Sequence, residues 1–158
     1  MAEYFGLYHT SNNPTGLLGT VGGAITATGL AGTLGELFSY IESPASGVAG
    51  ATEQYRKIHV KNISTSTLTG INMWLDGVEH TGQIHIGVER ATDQSIPIPT
   101  GTAPTSVTFS DPYNFSGGIS IGTLTGTEST GIWIRQTLSG IHRPDPYATF
   151  IISFGGFF

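Results

Sequence analysis

Gly131-Ile132-Trp133-Ile134-Arg135-Gln136-Thr137-Leu138 and the later run Ala148-Thr149-Phe150-Ile151-Ile152-Ser153-Phe154 decide the fold class. Side chains in an extended chain alternate between two faces. In the first run Ile132, Ile134 and Gln136 share one side, and Trp133, Arg135 and Thr137 share the other. In the second, Phe150, Ile152 and Phe154 make one face, while Ile151 interrupts an otherwise small, polar face of Thr149 and Ser153. Both read as strands. Between them, Ser139 to Tyr147 carries Gly140, Pro144 and Pro146, which cannot continue a central ladder. The two strands are therefore expected to form an antiparallel pair with a long loop, at the centre of an all-β domain.

Composition points the same way. Of 158 residues only 11% are charged, against roughly 25% for an average domain, and 23 are glycine. A surface with so few ions must be covered by hydroxyls and amides, and such a surface packs well against other protein. The net charge is −5. Arg56, Lys57, Lys61 and Arg90 are too few and too scattered for the electrostatic footprint of a nucleic-acid binder. With no cysteine, disulfides, thiolate zinc sites and cysteine nucleophiles are excluded. No run approaches the roughly 20 apolar residues of a membrane span, and no secretory leader opens the chain. The expectation is synthesis in the cytoplasm, with neither nucleic acid nor membrane as a partner.

Working outward, period-two patterning is clear from Thr52 onward. Arg56, Ile58 and Val60 oppose Lys57, His59 and Lys61, which predicts a strand with a basic outer face. Ser64 to Thr67 is a turn. Ile71, Met73 and Leu75 point inward, with Asn72 and Trp74 outward. Ile84, Ile86 and Val88 alternate with His85, Gly87 and Glu89. After a connection with prolines at 97, 99 and 104, Val107-Thr108-Phe109 and Ile119-Ser120-Ile121 read as two further short strands. Leu124 to Thr130 is a turn. About seven short strands at this spacing predict an antiparallel β-sandwich over residues 52 to 158.

Residues 1 to 51 differ. Glycine is frequent, Glu3, Glu36 and Glu42 are the only charges, and no period is sustained. Glycine at this density raises the entropy lost on ordering, yet the segment is too apolar for a disordered linker. It reads as an extended arm that orders by lying on its own domain or on a neighbouring subunit. Deleting residues 1 to 41 is expected to leave a folded domain.

The motifs that could carry chemistry are weak. Asp76, Glu79, His80 and His85 contain metal-ligating side chains, but the spacing puts the two imidazoles on opposite faces of a strand, and solvated loop residues explain them better. His142 and Asp145 have no nucleophile elbow to serve. Glu89 and Asp93 fit a solvated strand edge better than a glycosidase pair. Gly16, Gly19, Gly22 and Gly23 lack the strand and lysine of a phosphate cradle. The expectation is no catalytic residue, no metal site and no cofactor.

Thr52-Glu53-Gln54-Tyr55-Arg56-Lys57-Ile58-His59-Val60-Lys61-Asn62, the Phe109-Ser110-Asp111-Pro112 segment and the run Leu124 to Arg135 together resemble virion proteins of tailed bacteriophages. Asn13-Pro14-Thr15-Gly16 and Gly22-Gly23-Ala24-Ile25 resemble the same group. The resemblance implies an Ig-like or jelly-roll sandwich that decorates and cements the outside of a capsid, with the major capsid protein as partner and copies of itself as neighbours. A tail or baseplate component, or a carbohydrate-binding module on the virion, are the alternatives.

Aromatics are enriched at protein interfaces. On that ground the expected interface comprises Tyr4, Phe5, Tyr8, Leu17, Leu18, Ile25, Leu37 and Phe38 from the arm. It also takes Trp74, Trp133 and Arg135 from strand faces opposite the core, and Phe157 and Phe158 from the end of the sequence.

Overall fold

The computed structural model describes residues 4–14, 19–32, 36–38, 52–76, 83–89, 96–138 and 150–157. Their regular structure is all strand: β1 (Phe5–Asn12), β2 (Thr20–Gly29), β3 (Thr52–Asn62), β4 (Leu68–Leu75), β5 (Ile84–Val88), β6 (Ile98–Pro99), β7 (Ile119–Leu124), β8 (Ser129–Leu138) and β9 (Ile152–Phe157). Every pairing is antiparallel. The strands form a six-stranded sheet, ordered β5-β8-β3-β1-β2-β6, and a three-stranded sheet, ordered β7-β4-β9. The chain is thus an antiparallel β-sandwich.

Alternation builds the core. Ile58 and Val60 of β3, Ile84, Ile86 and Val88 of β5, and Ile132 and Ile134 of β8 face Ile71, Met73 and Leu75 of β4 across one buried cluster. Phe150, Ile152 and Phe154 close it from the smaller sheet, with the Phe154 ring 5.9 Å from Phe5 of β1.

The expected pairing of the two opening stretches does not form. β8 lies between β5 and β3, while β9 is an edge of the other sheet, paired with β4. Their dry faces meet across the core instead. A dry face can be covered by stacking just as well as by pairing within a sheet, and a long connection imposes no hairpin register.

β3 differs from expectation as well. Its supposed basic outer face is covered: Lys57 and His59 are buried, and Lys61 lies over the Tyr8 ring at 5.9 Å. Arg56 does face inward, where its Nε donates to the Leu37 carbonyl and its Nη1 to the Tyr55 carbonyl, each at 2.7 Å. Burial lowers this guanidinium to about 10, which leaves it charged at neutral pH.

What covers β3 is the N-terminal region, whose described part lies on the chain's own sandwich. β1 pairs with β3 from Phe5 opposite Asn62 to His9 opposite Ile58. β2 returns along β1 through two irregularities of register. Gly22 and Gly23 there hold φ of +107° and +90°, which side chains other than glycine's rarely tolerate. That is why no period announced this strand. Removing residues 1 to 41 would strip β1 and β2 from the sheet and leave β3 with an open edge, which argues against a folded remainder.

Val21 of β2 joins Tyr55 and Trp133 in a second, smaller cluster on the outside of the large sheet, with Ile98, Val107 and Phe109 packed against it. Val107 to Phe109 is not the expected strand but an irregular strap, tied to β5 by a single bridge between Ile86 and Ser110.

Asn62 pins the two crossings between sheets at one end. Its Nδ2 donates to the carbonyls of Ser66, Leu124 and Thr125 at 2.7, 3.0 and 3.1 Å. Its Oδ1 accepts from the Ser64 N–H and hydroxyl at 2.9 and 2.8 Å.

Candidate functional site

The outer face of the three-stranded sheet follows from the alternation of β4 and β9. With Ile71, Met73 and Leu75 turned inward, Asn72 and Trp74 turn out. With Ile152 and Phe154 turned inward, Ile151, Ser153, Gly155 and Phe157 turn out. Trp74 lies opposite Ser153 and Asn72 opposite Gly155.

Three aromatic rings line this face. Phe115, from the loop before β7, stands edge-on to Trp74 at 5.7 Å and to Phe157 at 6.1 Å. Edge-to-face pairs of this kind contribute about 0.5–1.5 kcal/mol beyond the area they bury. Gly155 makes the slot for Phe115: a Cβ there would come within 3.0 Å of the Phe115 ring and 3.4 Å of Trp74. The loop is fastened by Asn72 Nδ2, which donates to the Phe115 carbonyl at 3.2 Å, and by Asn114 Oδ1, which accepts from the Gly117 N–H at 2.7 Å.

Much of this apolar surface stays in water. Phe157 is 60% exposed and Ile151 56% exposed, while Trp74 and Phe115 are half-buried. Tyr113, 82% exposed, stands beside a shallow cleft of about 260 Å³ lined by Ser110, Asp111, Asn114 and Gly117. No residue of β4, β7 or β9 is charged.

The large sheet contrasts with it, because its ionisable groups are held within the chain. Lys57 Nζ lies 2.7 Å from Glu89 Oε2, both side chains nearly inaccessible, and 5.8 Å from the Trp133 ring. Arg135 stacks over Phe109 at 5.2 Å and reaches Glu53 at 3.5 Å. The Tyr55 hydroxyl donates to Glu53; burial first, and then that carboxylate, push its pKa up to about 12. His85, opposite Arg135, is held below the usual imidazole range by burial and then by the guanidinium.

These positions sort the expected interface residues. Trp133 is 1% exposed and lies under Gly22 of β2, so it is a core residue of this chain and does not present itself to a partner. Arg135 is 24% exposed and engaged with Glu53 and Phe109. The Tyr4 carbonyl accepts from the Ile63 N–H at 2.9 Å. Phe5 is taken up by Phe154, Tyr8 by Lys61, and Phe38 by Arg56 and by Phe150 at 6.4 Å. Leu37 packs on the main core, and Ile25 is half-buried opposite Thr10. Of the ten that are described, only Trp74 and Phe157 belong to the exposed aromatic face.

Leu17, Leu18 and Phe158 fall outside the described residues, as do Glu79, His80, Asp93, His142 and Asp145. Phe115 and Tyr113 were not anticipated, because a loop aromatic has no period to reveal it. Ile151 did leave a signal, as the one large apolar group on the polar side of its strand.

Among the described residues no group of three or more His, Asp or Glu side chains could hold a metal ion. Among the described residues no helix is long and apolar enough to cross a membrane. No protein-family model, curated protein or solved structure matches this chain.

Proposed function

We propose that the protein is a structural virion component that binds the outside of a phage capsid lattice and stabilises it. The observation that carries this reading is the uncharged outer face of the three-stranded sheet, with Trp74, Phe115 and Phe157 in file. Depletion of charge and enrichment of aromatics mark the centre of protein interfaces, and an exposed patch of this kind marks an interaction site. The resemblance to tailed-phage virion proteins supports the capsid as partner. A protein that binds only the assembled shell stabilises that shell by mass action.

The test is co-sedimentation of the purified chain with undecorated phage heads. Wild type is expected to bind saturably. The Trp74→Ala/Phe115→Ser variant, checked for folding by circular dichroism, is expected to bind at least about tenfold more weakly, the loss of one well-packed aromatic anchor. Unchanged binding by that variant rejects the surface, and no binding by wild type rejects the capsid as partner.

A tail or baseplate location draws on the same face, and labelling the chain on intact virions separates the two. A carbohydrate-binding role has its own observation in Tyr113 beside the cleft of Ser110, Asp111 and Asn114. An exposed phenol ring next to amide and carboxylate groups is suited to stacking and hydrogen bonding with a sugar. Chemical-shift changes at Tyr113 on adding oligosaccharides favour that reading.

A further inference from the structure

We infer that β9 is a self-pairing edge, through which two copies of this chain join their three-stranded sheets into one six-stranded sheet. Hydrogen-bond parity shows which backbone groups of β9 face away from β4. The Asp76 N–H donates to the Ile151 carbonyl at 2.8 Å, and Leu75 lies opposite Ile152. In an antiparallel ladder this makes 151, 153 and 155 the positions whose backbone groups turn toward β4. The N–H and C=O of Ile152, Phe154 and Gly156 therefore turn the other way. Among the described residues no strand pairs with β9 on that side.

Such an edge is a template for another strand, and proteins that keep an edge unpaired guard it with lysine, proline or an inward charge. Phe150 to Phe157 has none of these. The run carries no ionisable side chain, so two copies can meet along it without bringing like charges together, although each chain carries a net charge of −5. A charged or strongly basic partner would gain nothing from this edge, whereas a second uncharged β9 matches it.

The side chains fit a two-fold axis at Phe154. Antiparallel pairing about that residue puts Ile152 opposite Gly156 of the other copy and Ser153 opposite Gly155. It also puts Ile151 opposite Phe157. Ile151 and Phe157 are both on the outer face and more than half exposed in the single chain. In the pair they form two apolar cross-strand contacts, at non-hydrogen-bonded positions where side chains approach closest. The outward backbone groups of Ile152, Phe154 and Gly156 complete the ladder. The same join carries the Trp74, Phe115 and Phe157 file across the composite sheet. One short ladder with four apolar side chains lies below the roughly 1,200–2,000 Å² of a standard stable interface, so association depends on concentration.

Sedimentation velocity on the full chain, from micromolar to about 1 mM, tests this. Wild type is expected to shift from monomer to dimer. The variants Ile151→Lys/Phe157→Lys and Ile151→Glu/Phe157→Glu place like charges opposite one another and are expected to stay monomeric. Their equimolar mixture pairs Lys with Glu at both positions and is expected to restore the dimer. Circular dichroism of each variant checks that the fold is kept. A wild type that stays monomeric throughout, or a mixture that fails to associate although both variants are folded, overturns the inference. The assay needs no phage head, so its outcome is independent of the capsid reading.

Discussion

Replacing Glu89 by Leu should unsettle the large sheet more than any surface change. Glu89 Oε2 lies 2.7 Å from Lys57 Nζ, with side-chain exposures of 5% and 0%. At that separation the attraction is about 6 kcal/mol for an effective dielectric constant near 20, and the cost of desolvating two ions, several kcal/mol each, offsets most of it. The intact pair therefore adds little net stability. Removing one partner is different, because it leaves the other charge buried, at a cost of about 3–5 kcal/mol. For a chain of this size that is a drop in Tm of roughly 6–20 °C. The double change Lys57→Met/Glu89→Leu removes both charges and should lose less than about 1.5 kcal/mol. Urea denaturation of the four proteins in this cycle measures the coupling. A Glu89→Leu loss below about 1 kcal/mol, or a double variant as damaged as the two singles summed, refutes the assignment of this pair as buried and mutually compensating.

Other consequences are independent of that pair. Burial and then Arg135 hold His85 below the usual imidazole range, so on acidification the unfolded chain takes up a proton first. Stability should fall as pH drops through about 6.5, and Arg135→Gln should raise the His85 midpoint seen by NMR. Tyr55 shifts the opposite way, with a folded pKa of about 12 against 10.0. Stability should fall as pH rises between those values, and Tyr55→Phe should remove one late-titrating phenol from the ultraviolet titration. Asn62→Ala leaves the buried Leu124 carbonyl and the partly buried Thr125 carbonyl without this donor and should cost about 1–3 kcal/mol in denaturant unfolding. Deleting residues 1 to 41 removes β1 and β2 and uncovers Trp133 and Tyr55; the truncated chain should bind a hydrophobic dye and lose its cooperative melt.

Strands with one dry face were legible wherever the alternation was uninterrupted. β4 shows it best, since Ile71, Met73 and Leu75 are as buried as their spacing requires while Trp74 stays outside. Partnership was not legible. Ile132 and Ile134 of β8 and Ile152 and Phe154 of β9 ask only to be covered, and nothing in their period says whether the cover comes from beside or from above. β3 hid a second dry face, because Lys57 and His59 read as outward, whereas both are buried and Gly22 of β2 lies against Lys57 and Trp133. β2 left no period of its own, since Gly22 and Gly23 bend it through positive φ. Of the aromatic face, Trp74 was legible as an outward group and Phe157 as an apolar group that must dock, and Trp133 looked identical to Trp74 in sequence. The difference lies in Gly22, more than a hundred residues away, which no local pattern connects to it. Phe115 comes from an aperiodic loop and is placed by the slot at Gly155.

The proposed function requires the uncharged sheet face of Trp74, Phe115 and Phe157 to contact a capsid surface. An electron cryomicroscopy reconstruction of phage heads incubated with the purified chain tests it most directly. The expected result is two-sheet density on the outside of the shell, with β7, β4 and β9 turned toward the capsid protein. Bare heads, or bound density with that face turned to solvent, would contradict it.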